Sequence, residues 1–237
     1  MATNLLNRGA FIVLEGLDRS GKTTLAYLLV KELEQRQIPV EFMRFPDRSK
    51  DNVIGDTLNK YLSSGIELNP ETSHMLFTTQ RFAVKDQMLQ KLMEGKVLIV
   101  DRYAHSGIAY SVAKGLSLEW CKAKESGLLR PDIVLYLDLL PSEGLKRGNY
   151  GEERFETVQF QEKVHNAYDQ LLDDSWKILS AHDTPETLVR SALSNILRAC
   201  ELNAHKPVEL LYQSGRLDEK SPLKERQPFR TNVLSSQ

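Results

Sequence analysis

The chain has little cysteine, almost no net charge and no long apolar run, and each shortage excludes a class of protein. Only Cys121 and Cys200 occur among 237 residues. They are far apart and lack CxxC spacing, so neither a disulfide framework nor a thiolate metal site is expected. That usage fits a reducing, intracellular compartment, the cytoplasm first, with the nucleus and mitochondrion left open. A formal net charge of -1 gives no general attraction to nucleic acid or to an anionic membrane, so neither is expected as a partner. Any affinity for phosphate must come from where individual Lys and Arg residues sit. Runs such as Phe11-Ile12-Val13-Leu14 are far too short to span a bilayer, and no leader pattern precedes them.

What is present suits one well-cored domain: 41% hydrophobic and 27% charged side chains. Short, β-branched, non-alternating runs at Phe11 to Leu14, Val97 to Val100 and Ile133 to Leu137 read as buried parallel strands. Weaker candidates are Ile178-Leu179 after Trp176, and Val40 to Phe45. Helical spacing fills Thr23 to Gln35, Glu71 to Met93, Thr157 to Leu172 and Pro185 to Leu202. Asn69 before Pro70 and Thr184 before Pro185 supply helix-start signals. Strand alternating with helix predicts an α/β doubly wound sheet. From Gln213 the sequence turns polar, with Pro222 and Pro228, and a disordered tail over 213–237 is expected.

The most informative segment is Gly16-Leu17-Asp18-Arg19-Ser20-Gly21-Lys22-Thr23, a G-x-x-x-x-G-K-[ST] phosphate loop. Chance would produce such a match in a chain this long with a probability on the order of 1%. Its context adds weight, because it follows an apolar strand and opens a helix, where backbone N–H groups converge on phosphate. Lys22 would bridge the β- and γ-phosphates, and Thr23 would offer Mg²⁺ a hard oxygen. Asp101 closes the Val97 to Val100 strand, where an acid can hold the metal directly or through water. GTP-binding switch proteins share the loop, but Asn59-Lys60-Tyr61-Leu62 lacks the Asp of N-K-x-D and Asp101-Arg102-Tyr103-Ala104 lacks the Gly of D-x-x-G.

Asp18-Arg19 within the loop, Phe45-Pro46-Asp47-Arg48, the Phe77 and Arg81 pair, and Asp101-Arg102-Tyr103 followed by Ser106-Gly107 together resemble the eukaryotic-type thymidylate kinases. The likeness is ordered and runs from about Gly9 to Tyr212. It implies a P-loop nucleoside monophosphate kinase-like domain over 1–212, a five-stranded parallel sheet flanked by helices, a lid over about 142–156, and a homodimer of packed helices. It also implies ATP as donor with Mg²⁺, and dTMP as acceptor.

Carried onto this sequence, the resemblance gives catalytic roles to Arg19, Lys22, Asp18 and Arg102. The donor would meet Gly16, Arg19, Ser20, Gly21, Lys22, Thr23, Thr24, Arg147 and Arg154. The acceptor would meet Asp18, Phe45, Arg48, Phe77, Arg81, Arg102, Ser106, Gly107, Tyr110 and Phe155, the last standing where relatives usually carry Tyr. The metal would meet Thr23, Asp101 and either Glu152 or Glu153.

Physical chemistry gives these roles a reason. A monophosphate acceptor is already mostly dianionic at neutral pH, so no general base is needed. Two anions must instead be neutralised and aligned, which is work for arginines. Phe77 and Arg81, four residues apart on a helix, share a face, where a ring can stack on a pyrimidine beside a guanidinium. Asp18 in an anion-binding loop is awkward unless it accepts a hydrogen bond, as from a deoxyribose hydroxyl. A deoxynucleoside kinase is the nearest rival and would need a base, for which Asp47 is the candidate. A silent nucleotide-binding regulator is the other.

Overall fold

Five strands form one parallel sheet: β1 (Phe11–Gly16), β2 (Val40–Arg44), β3 (Val97–Asp101), β4 (Ile133–Asp138) and β5 (Trp176–Ser180), in the spatial order β2-β3-β1-β4-β5. Every neighbouring pair is parallel. The structure is a computed structural model, and it describes residues 7–49, 52–144, 146–147 and 153–213. The expected tail beyond Gln213 and much of the expected lid, including Glu152, lie outside the described residues.

Burial explains which strands were easy to read. β1 is buried along its whole length, and its side chains point alternately to opposite faces. Phe11 and Val13 join one core with Leu98, Val100, Val134 and Tyr136, while Ile12 and Leu14 join a second with Ile99, Leu135 and Leu137. Each such fully buried aliphatic or aromatic side chain contributes roughly 1.5–3 kcal/mol. The edge strands β2 and β5 keep partly exposed residues, so their apolar runs are shorter and weaker.

Helices cover both faces. The second core is roofed by α1 (Lys22–Gln35) and α9 (Pro185–Asn203). The first takes residues from α4 (Lys85–Met93), α5 (Ala104–Ala113), α6 (Leu118–Glu125) and α8 (Val158–Asp169). Between them run α2 (Val53–Leu62), α3 (Pro70–Ala83) and the short α7 (Pro141–Gly144). The caps form as expected: Asn69 accepts from the Thr72 N–H at 2.7 Å and Thr184 from the Thr187 N–H at 3.3 Å.

The single helix expected over Glu71 to Met93 is corrected to two. Val84 has φ -108° and ψ 2°, and its N–H turns back to Phe82 O. The two halves serve different surfaces. α3 buries the polar Ser73, His74, Thr78 and Arg81, whereas α4 buries Met88 and Leu92 in the apolar core. The Phe45-Pro46 peptide bond is cis.

No described helix is long and apolar enough to cross a membrane. Both cysteines are free, and burial pushes each thiol up to about 11.

Candidate active site

The phosphate loop leaves β1 at Gly16, whose φ of 145° and close approach to β4 leave no room for a side chain. An added Cβ would lie 2.6 Å from Leu137 O. The loop turns through Arg19, at φ 63°, and Gly21 caps α1. This places Lys22 and Thr23 in the first turn of α1, with its N–H groups facing the loop. Ser20 is buried, and Thr24 is exposed on the same turn.

Lys22 is buried and curls back on the loop, donating to Leu17 O at 2.6 Å and to Ser20 Oγ at 3.1 Å. Burial, reinforced by the Arg102 charge, lowers its ammonium from 10.5 to about 7. The unfolded chain therefore binds one more proton here between about pH 7 and 10.5, so this residue makes the fold more stable as pH rises through that window. Nucleotide phosphate at the loop would restore the charged form. At pH 8, ATP binding is expected to take up close to one proton, read by calorimetry in buffers of different ionisation enthalpy, and Lys22→Met is expected to abolish the uptake. Buffer-independent heats in the unmodified chain would refute this.

Thr23 Oγ1 donates to Asp101 Oδ2 at 2.5 Å, and Arg44 Nε lies 3.7 Å from the same oxygen. Asp101 Oδ1 is buried and has no hydrogen-bond partner among the described residues. A hydroxyl beside an unpartnered carboxylate oxygen suits Mg²⁺, which takes one or two protein oxygens and completes its shell with water and phosphate. The described residues hold no cluster of three or more His, Cys, Asp or Glu that could bind a metal without such help.

Next to the loop opens a cleft of about 650 Å³, counting space continuous with solvent. All ten residues expected to meet the acceptor line it: Asp18, Phe45, Arg48, Phe77, Arg81, Arg102, Ser106, Gly107, Tyr110 and Phe155. Four elements converge to build it. The loop after β1 brings Asp18, the one after β2 brings Arg48, α3 brings Phe77 and Arg81, and the turn into α5 brings Arg102.

Arg102 sits at φ 67° and reaches Gly16 O at 3.1 Å, the Ser106 hydroxyl at 3.2 Å and the Asp18 carboxylate, with its guanidinium 5.4 Å from the Tyr110 ring centre. Burial would raise the Asp18 carboxyl, but the Arg102 and Lys22 charges outweigh it and hold it below its ordinary value. Gln161 adds two bonds, donating to Asp18 Oδ2 at 2.8 Å and accepting from the Asp18 N–H at 3.2 Å.

Arg81 is buried and held at both ends of its fork by Glu125, with Nε donating to Oε2 at 3.0 Å and Nη2 to Oε1. Thr78 donates to the same Glu125 at 2.9 Å. Gly107 packs against this pair, and a Cβ there would fall 2.6 Å from Arg81 Nη2. Phe155 stacks on Phe160 with ring centres 4.8 Å apart and faces Tyr110 at 6.2 Å.

Several expected contacts are made elsewhere. Arg19 is paired with Glu156 at 3.0 Å. Arg48 is paired with Glu153 by two bonds of 2.7 and 3.1 Å, so Glu153 lies in the cleft and not with Thr23 and Asp101. Arg154, expected at the donor, is drawn to the end of α2. It donates to Tyr61 O, Ile66 O and Glu67 at 2.7–2.9 Å and stacks on the Tyr61 ring at 4.7 Å. A carboxylate, two carbonyls and an aromatic face hold it there. Arg147 does lie by that loop, donating to Arg19 O at 3.0 Å and Ala181 O at 2.8 Å.

Sequence reasoning missed Glu15, Glu125, Gln161 and Lys114. Glu15 is buried at the end of β1 and accepts from the Tyr103 and Ser106 N–H groups at 3.0 and 3.1 Å, from the Ser106 hydroxyl and from Tyr168 OH at 2.9 Å. It thereby fastens the turn that carries Arg102. Its signal was available, since an acid interrupts an apolar strand directly before the phosphate loop. Lys114 lines the cleft, donates to Ser73 Oγ at 2.6 Å, and is lowered by burial to about 8. Glu125 lies 44 residues from Arg81, and no local pattern links them.

A phosphate loop on a five-stranded parallel sheet, with an arginine-lined cleft beside it, defines a P-loop phosphotransferase of the nucleoside monophosphate kinase kind. Comparison with known proteins narrows the class. Residues 14–192 match the thymidylate kinase family profile. The chain is 47% identical over 208 residues to a thymidylate kinase of Arabidopsis thaliana, covering 87% of this chain and 78% of that one. It is 40% identical over 185 residues to a human thymidylate kinase, covering 76% and 86%. The solved thymidylate kinase of Candida albicans superposes with a TM-score of 0.74 at 31% identity, covering 86% of this chain and 98% of the other.

The chain belongs to the thymidylate kinase family. It is accordingly an enzyme, an ATP-dependent phosphotransferase whose acceptor is dTMP, in the supply of dTTP.

Proposed function

We propose that the γ-phosphoryl group of ATP, held at the phosphate loop, passes directly to the phosphate of dTMP held in the adjoining cleft, giving ADP and dTDP. The observation that carries this division is the convergence of Arg48, Arg81 and Arg102 with Asp18 and Phe77 on one cleft at the rim of the loop. Phe77 stacks on thymine, and Arg81, oriented by Glu125, donates to a base carbonyl. Asp18, ionised under Arg102, accepts from the 3′-hydroxyl. Arg48 and Arg102 hold the acceptor phosphate. Lys22 and Arg19 neutralise the group in flight, Arg19 after leaving Glu156.

Thr23 and Asp101 would hold Mg²⁺, which would supply positive charge to the nucleotide phosphates. Arg147, between the phosphate loop and Ala181, faces the donor base. A homodimer packed through helices fits α3, which leaves Met75 and Phe82 exposed seven residues apart on one face. An intracellular site, where ATP and dTMP are available, follows from this chemistry.

No general base takes part, and the rival candidate for one is badly placed. Asp47 turns away from the acceptor cleft, accepting from Ser49 N–H at 3.0 Å and Ser49 Oγ at 3.1 Å on an exposed loop. With ATP and Mg²⁺, dTMP is therefore expected to give ADP and dTDP at least 10²-fold faster than thymidine gives dTMP, as resolved by chromatography of the products. Equal rates with the two acceptors would overturn the reading.

A further inference from the structure

The acceptor arginine nearest the cleft mouth already holds an anion of the protein's own. Arg48 donates from both Nη atoms to both carboxylate oxygens of Glu153, at 2.7 and 3.1 Å, and both residues line the acceptor cleft. That fork-to-fork geometry is the one an arginine uses to grip phosphate. Glu153 therefore stands in the position that the oxygens of an acceptor phosphate would take.

We propose that Glu153 is a resident competitor for Arg48, a tethered carboxylate that holds the arginine until the phosphate of an acceptor displaces it. This rests on the reading that Arg48 receives the acceptor phosphate.

The energetics allow such an exchange. The side chains of Arg48 and Glu153 are 35% and 39% exposed, so the pair is a screened surface ion pair and costs little to open. A phosphate dianion brings more charge than a carboxylate and would also meet Arg102 in the same cleft. A nucleoside brings nothing for Arg48 and leaves it on Glu153. The carboxylate is tethered, so it competes at high effective concentration and closes the arginine to weak anions. Thymine recognition at Arg81 and phosphate recognition at Arg48 are thus checked separately, and the second check has a competitor built in.

The test is calorimetric titration of the full-length chain, without ATP, with dTMP and with thymidine as probes. Glu153→Gln keeps the shape and removes the charge, and at a half-exposed position it leaves the fold intact. It is expected to tighten dTMP about 3- to 5-fold, the worth of an exposed ion pair, and to leave thymidine unchanged. In an Arg48→Ala background the same substitution is expected to have no effect on dTMP. Arg48→Ala alone is expected to weaken dTMP about tenfold or more.

Equal tightening in both backgrounds would reveal only a general field effect and would overturn the proposal. Weaker or unchanged dTMP binding in Glu153→Gln would overturn it too, while a loss in Arg48→Ala would still support the acceptor reading. Unchanged dTMP affinity in Arg48→Ala would bring down both.

Discussion

Lys22→Ala is expected to lower turnover with ATP and dTMP by about 10²- to 10³-fold, the cost of losing one preorganised charge from a phosphoryl-transfer site, without lowering thermal stability. The two halves of that expectation have one cause. Lys22 is buried at the start of α1, and it donates to the neutral Leu17 carbonyl and Ser20 hydroxyl. Burial, with the Arg102 charge beside it, makes a cation there cost the folded state free energy despite the nearby carboxylates of Asp101, Asp18 and Glu15, as its lowering to about 7 records. The phosphates of a bound nucleotide would add the negative charge that offsets this cost. Steady-state kinetics beside a melting curve read both effects at once. A fall in turnover under tenfold, or a marked fall in melting temperature, would mean that Lys22 serves the fold and not the phosphoryl group.

Glu125→Ala is expected to show the opposite balance: a loss of roughly 3–5 kcal/mol in stability, because it strands the buried Arg81 guanidinium without its counter-charge. In a chain of this size that corresponds to a drop of roughly 6–20 °C in melting temperature. Glu125 is fully buried, takes both ends of the Arg81 fork, and accepts from Thr78. The paired replacement Arg81→Met with Glu125→Leu is expected to recover most of the stability, since it removes both charges together, while dTMP binding stays lost. If the single variant melts within about 2 °C of the unmodified chain, a shift worth under 1 kcal/mol, the pair does not hold the cleft. If the paired variant binds dTMP normally, Arg81 does not read the base.

The contrast between Lys22 and Arg81 also separates what was legible in the sequence from what was not. Lys22 is positioned by its immediate neighbours: a buried strand before it, a glycine turn around it, a helix after it. Local order alone tells a reader what such a lysine is for. Phe77 and Arg81 were legible as a pair because helical spacing places them on one face, and both do line the cleft. The position of Arg154 was not legible. Its place in the lid suggested the donor, but Glu67 and Tyr61, contributed from far upstream, hold it at the end of α2. The break at Val84 was equally hidden, because the spacing of apolar residues continues across it while the docking surface changes from site to core.

The sequence by itself determined the α/β class and the phosphate loop with its lysine and threonine, because spacing, burial propensity and turn chemistry act over a few residues. The set of side chains that line the cleft was legible only through the likeness of the ordered motifs to thymidylate kinases. Only the tertiary structure decided which charge neutralises which: Glu15 under the Arg102 turn, Glu125 behind Arg81, Glu153 on Arg48 and Glu156 on Arg19. The reason is physical. A carboxylate finds its cation through space, and the parallel crossovers of the sheet bring together residues that lie 44 to 137 positions apart along the chain.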